Sequence, residues 1–123
     1  MADMDTALKE AMQIDGAIAV ALVDYSSGLA LGTKGGGHEF DISVAAAANT
    51  EVVRAKLRAL DMLKLNDSIE DILITLNHQY HLIRPLTSRT GQGLFLYLAL
   101  VKTRANLAMA RHRLRTIEQE VLV

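Results

Sequence analysis

The stretch from Phe40 to Leu65 restricts what this chain can fold into more than any other part of it. At ~100° per residue, Ser43, Thr50, Glu51, Arg54, Arg58 and Asp61 gather on one narrow polar arc, and nearly all the rest is apolar. That remainder splits into a small-residue stripe of Ala45, Ala48, Val52, Ala55 and Ala59 and a bulkier stripe of Ile42, Ala46, Val53, Leu57 and Leu60. A surface helix covers a sheet with one apolar stripe of somewhat over ~100°, so a second stripe needs a second cover. Either the chain buries this helix on two sides, or a sister subunit does. In 123 residues few elements remain for the task, which favours the sister subunit. The small stripe is assigned to that interface, with Ile42, Val53 and Leu60 as the alternative.

Composition narrows the function classes. Half of the residues being apolar is enough for one real core, so a single domain over residues 1–123 is expected. Thirteen basic and fourteen acidic residues nearly cancel, and no overall field draws the protein to nucleic acid or to an anionic membrane. The lack of cysteine excludes disulfides, thiolate metal sites and thiol catalysis, and agrees with a reducing, cytoplasmic setting. Asp3, Asp5, Lys9 and Glu10 near the start are unlike a signal peptide. Apolar runs such as Ala17 to Val23 and Leu94 to Val101 fall short of the ~20 residues a membrane-spanning helix requires.

The flanking elements follow from periodicity. Asp3 or Asp5 can cap a short helix carrying Met4, Leu8, Ala11 and Met12. Ala17 to Asp24 reads as a buried strand in which Ile18, Val20 and Leu22 alternate with small Ala19 and Ala21. A turn at Tyr25-Ser26-Ser27-Gly28 leads to a second strand, Leu29 to Thr33, and Gly35-Gly36-Gly37 reads as a flexible hinge before the long helix. Three further strands follow: Ile69 to Leu76, Tyr80 to Leu86 and Leu94 to Lys102. Arg104 to Leu122 closes the chain as an amphipathic helix with Leu107, Ala110, Leu114, Ile117 and Val121 on its seam. The order αββαβββα implies a three-layer α/β domain, with a five-stranded antiparallel sheet and helices on both faces.

This order, with Ile14-Asp15-Gly16-Ala17 leading to Leu22-Val23-Asp24-Tyr25-Ser26-Ser27-Gly28-Leu29, resembles the roadblock (dynein light-chain) family across essentially the whole chain. The resemblance implies a profilin-related fold and a homodimer made by apposing the long helices and pairing the third strands into one continuous sheet. It places Ile72 and Ile74, with the small stripe, at that interface. It also implies a non-catalytic scaffold or regulator of a small Ras-like GTPase in bacterial motility, polarity or signalling; other members are dynein adaptors. The glycine-rich loop and the Ala45 to Ala48 run are not hallmarks of the family.

Motifs for chemistry fail on inspection. Gly32-Thr33-Lys34 lacks the spacing of a phosphate-binding loop, and His38-Glu39 would need a second histidine where Ile42 stands. His78 and His81 lie three apart beside a strand, so they do not converge on a metal; these, His38 and His112 read as surface residues. No cofactor, metal or catalytic residue is assigned. An arginine supplied to a GTPase can stabilise charge on a transferring phosphate, and Arg89 is the one obvious loop arginine, although a solvated loop residue is the simpler account. Arg104, Arg111 and Arg115 line one side of the last helix and could meet an acidic partner, with Glu118 three residues past Arg115 able to pair locally. Two other functions stay open: a small-molecule-sensing α/β domain, for which two Phe, three Tyr and no Trp offer little, and a small enzyme.

Overall fold

A computed structural model describes residues 2–123. Its elements run α1 (Met4–Met12), β1 (Ala17–Asp24), β2 (Leu29–Gly35), α2 (Ile42–Met62), β3 (Ile72–Thr75), β4 (Gln79–Pro85), β5 (Leu94–Val101) and α3 (Leu107–Glu120). The expected order holds. The strands form one antiparallel sheet in the order β2-β1-β5-β4-β3, which places the β1–β2 and β3–β4 hairpins at opposite edges.

Alternation along the two central strands makes two cores. Val20, Leu22, Leu82, Leu96, Leu98 and Leu100 face α1 and α3, where they meet Leu8, Ala11, Leu114 and Ile117. Ala21, Val23, Ile83, Phe95 and Tyr97 face α2 through Ala46 and Val53. Each large apolar side chain fully buried this way contributes ~1.5–3 kcal/mol. Small Ala19 and Ala21 leave room for α2 to lie close over β1, as the sequence suggested. Ile18 breaks the expected alternation, because a register shift between Ala17 and Ala19 turns it to the α2 side, away from Val20 and Leu22.

The structure corrects several local readings. The glycine run is no loose hinge: Gly35 pairs with Ala19 inside β2, where a Cβ would collide with the Ile18 carbonyl, and that carbonyl accepts a 3.0 Å bond from the Gly36 amide. Only glycine tolerates that approach at a φ of 75°. Asp41 caps α2, accepting from Ser43 and Val44. Thr50 leaves the polar arc and is buried against the sheet, its hydroxyl donating to the Ala46 carbonyl at 2.8 Å. Arg54 donates to the Tyr25 and Ser26 carbonyls, tying the helix to the β1–β2 turn. The third strand is four residues long rather than the eight from Ile69 to Leu76.

Glu118 is not paired with Arg115. It is buried 3% exposed, 3.2 Å from the Arg84 guanidinium of β4, and also accepts from the Thr87 amide and hydroxyl. One carboxylate thereby holds α3, β4 and the start of the loop to β5. Glu118→Ala would strand the Arg84 charge in the core, and a loss of ~3–5 kcal/mol in urea unfolding is expected. The apolar pair Arg84→Met with Glu118→Leu should come much closer to the parent.

At its other end α2 stops with Lys64 in the left-handed region, φ 56°. The Leu65 amide bonds back to Leu60 and the Lys64 amide to Asp61, both at 3.0 Å, a geometry that glycine adopts without side-chain strain. Lys64→Gly is expected to raise stability by up to ~1 kcal/mol. A lowered melting temperature would contradict this.

Candidate functional site

Two helices cover one face of the sheet and one covers the other, and that single helix makes its closest approach to β1 and β2. At the β3–β4 end of the same face, Ile72, Ile74 and His81 remain half-exposed. Two strands are ~10 Å across, about the diameter of one helix. The bulky stripe of α2 is the one turned to the sheet, through half-buried Ile42 and buried Ala46 and Val53; Leu57 and Leu60 are less covered. Of the small stripe, half-buried Ala45 and Val52 also pack against this sheet core, Ala59 is half-buried, and Ala48 and Ala55 are exposed. Val44, 62% exposed, and Met62, 81% exposed, extend this outward surface at both ends. Sequence reasoning omitted both, although Met62 continues the alternating three-and-four spacing of Ala45, Ala48, Val52, Ala55 and Ala59.

The strip borders an open sheet edge. The Leu76 amide donates to the Gln79 carbonyl at 2.8 Å, and this fixes the phase of the β3–β4 ladder. Ile72 and Ile74 bond inward to β4, so Leu73 and Thr75 turn their amide and carbonyl groups to the free edge. The side chains of Ile72 and Ile74 lie on the α2 side. Ala45 and Val52 of α2 and Ile72 and Ile74 of β3 pack against the same core cluster, which places the open strip between them.

The four arginines offered as partner contacts differ in availability. Arg111 holds Asp71 with two parallel bonds, 2.9 and 3.0 Å, and Arg115 pairs with Glu70. Arg89, in the loop after β4, and Arg104, just before α3, are exposed and carry no ion pair among the described residues. The four do not converge on one point of the fold: two serve the chain's own acids and two face solvent. Among the described residues, no group of three or more His, Asp or Glu is placed to hold a metal ion.

His78 is exposed in the β3–β4 turn, and His38 and His112 are exposed as well. His81 is not the surface residue expected. Its ring lies edge-on to Phe40 and Tyr97, Nδ1 is 3.1 Å from the Tyr97 hydroxyl, and Nε2 is 2.8 Å from Gln79 Oε1. The aromatic residue that precedes the α2 cap is seated on this ring. Period-two alternation opposite Ile74 could have revealed it, since that register puts His81 on the α2 face. Desolvation lowers the His81 pKa and raises that of Tyr97 to about 12. A histidine with a depressed folded value binds protons more readily when unfolded, so its contribution to stability is complete above the ordinary value of 6.5 and is lost as pH falls below it. Thermal melts should therefore show falling stability from pH 7 towards pH 5, and His81→Phe should flatten that slope. An unchanged slope in the variant would contradict the assignment.

Comparisons with known proteins locate this geometry. No family model and no curated protein matches the sequence. Solved structures do match the fold. A roadblock/LC7 domain from Streptomyces avermitilis aligns with a TM-score of 0.79 at 13% identity, over 96% of this chain and 93% of that one. MglB of Myxococcus xanthus aligns with a TM-score of 0.74 at 17% identity, over 94% of this chain and 78% of that one. The gliding protein MglB from Thermus thermophilus aligns with a TM-score of 0.67 at 17% identity, over 94% and 88%. With its αββαβββα order and this match along nearly its whole length, the chain folds as a roadblock domain.

Proposed function

We propose that the protein is a non-catalytic homodimeric scaffold that binds a small Ras-like GTPase and modulates its cycle or its position in bacterial signalling. The observation that carries this reading is the half-covered sheet face, which has room for one more helix and is bordered by the outward stripe of α2 and the free edge of β3. A second copy of α2 fits that space. Running antiparallel about a two-fold centred between Val52 and Ala55, it sets Ala48 against the partner's Ala59. Small side chains let the two backbones approach closely, and β3 pairs with its counterpart through Leu73 and Thr75.

The GTPase part of the proposal draws support from the fold shared with MglB proteins, one of which is described as a gliding protein. Exposed Arg89 and Arg104 are the proposed partner contacts, because Arg111 and Arg115 are already engaged. Two clefts, of about 350 and 400 Å³, have one aromatic lining residue between them, Tyr25, and this favours a scaffold over a small-molecule sensor.

Ala48 and Ala55 are exposed in the single chain, so charges there should leave the subunit folded while disrupting a dimer. Light scattering at micromolar concentration should report a dimer for the parent and monomers for Ala48→Glu and Ala55→Glu, because an unpaired charge buried between helices costs several kcal/mol. Thr75→Pro, which removes only an outward amide, should weaken the dimer without unfolding the subunit. A parent monomer, or a dimer untouched by all three changes, would overturn the interface. For the partner, the protein is incubated with the small Ras-like GTPases of its own genome, loaded with GDP or a non-hydrolysable GTP analogue. Nucleotide-dependent capture, weakened by Arg89→Ala or Arg104→Ala, is expected; capture of none of them would overturn the GTPase reading.

A further inference from the structure

We infer that Arg111 and Arg115 of α3 are positioning residues for the free edge of β3, gripping the acidic step Glu70-Asp71 from the opposite side of the sheet. The inference deepens the interface reading above and rests on it for its consequence. Between α2 and β3 the chain runs through residues 63–71 without a helix or strand, and Leu65, Asn66, Asp67, Ser68 and Glu70 are exposed. This connector must carry the chain from the layer holding α2 to the sheet edge. The strand it delivers is only four residues long and is bonded on one side only. Little apolar burial holds its start, since Ile72 and Ile74 are themselves half-exposed.

The ion pairs act at that point. Asp71 immediately precedes Ile72, and its side chain is 12% exposed where Arg111 meets it with two bonds. A planar fork of this kind fixes direction as well as distance, which a single lysine bond does not. Arg115, one turn along α3, takes Glu70. Arg113, on the same helix, reaches Glu10 of α1 instead, 3.5 Å away, and so provides an internal control. The consequence is a coupling between faces: loss of the Arg111–Asp71 clip would loosen β3 and weaken pairing with the second copy.

Hydrogen exchange read by mass spectrometry over residues 70–76, together with sedimentation of the dimer, tests this. In Arg111→Ala and Asp71→Ala the inward amides of Ile72 and Ile74 should exchange roughly three- to tenfold faster, as expected for a partly buried forked pair. The dimer dissociation constant should rise by a similar factor. Arg111→Lys should restore only part of the protection, Arg113→Ala should leave β3 unaffected, and exchange in β1 and β5 should stay unchanged in every variant. Unaltered exchange at β3 in both alanine variants, or an equal effect of Arg113→Ala, would overturn the inference. Faster exchange with an unaltered dimer constant would overturn the coupling. A parent monomer would sink the interface reading, while the exchange measurement would still decide whether the clip sets the strand.

Discussion

Unequal cover on the two faces of the sheet is the constraint from which the rest of the structure follows. Five strands at ~4.8 Å spacing are some 20 Å wide, enough for two helices side by side. The chain supplies two helices to one face, α1 over β1 and β2 and α3 over β4, and there the core closes around Leu98 and Leu114. It supplies only α2 to the other face. Every unusual feature of the central helix answers that shortage. It is greasy on the sheet side, where it covers Phe95 and Tyr97, and small on the outer side, which would let a helix that completed the layer come close.

Polar groups are placed where they hold this lopsided arrangement in register. Arg54 anchors α2 to the first hairpin by way of two backbone carbonyls, and Glu118 anchors α3 to β4 through a buried pair. Breaking a buried pair costs more than the pair contributes net, so such contacts enforce one arrangement more than they add stability. The remaining arginines on α3 serve acids on α1 and on the connector to β3. Much of a nearly neutral charge inventory is thereby committed inside the subunit.

Periodicity made the elements legible, and geometry explains what it hid. β1 was read with both of its ends, and the seams of α1 and α3 were read from spacing alone, because each buries one continuous stripe. Thr50 was misread because its hydroxyl, bonded to the preceding turn, no longer counts as polar surface. Ile18 was misplaced because a one-residue irregularity reverses the parity of a strand and leaves no compositional mark. The glycine run looked flexible because sequence shows the freedom of glycine but not the carbonyl that demands it. Of the small stripe, Ala48 and Ala55 face outward while Ala45 and Val52 also touch the sheet core, and the exposed ends at Val44 and Met62 were missed, since neither is small. The pairing of Glu118 with Arg84 spans 34 positions and leaves no local signal.

The same logic explains where the His81 cluster sits. A ring with both nitrogens hydrogen-bonded and two aromatic neighbours belongs in a core, but this one lies at the margin of the strip that α2 leaves open. Fully buried, the imidazole would be held neutral at any ordinary pH; fully exposed, it could not seat Phe40. At the margin it does both jobs partly: it supports the start of α2 while remaining within reach of solvent protons. Closing the strip with another helix would remove more water from the ring and lower its proton affinity further, so the cover over β3 and β4 and the protonation of His81 are thermodynamically linked. In the proposed dimer, neutral histidine would favour the closed layer and acid the open one.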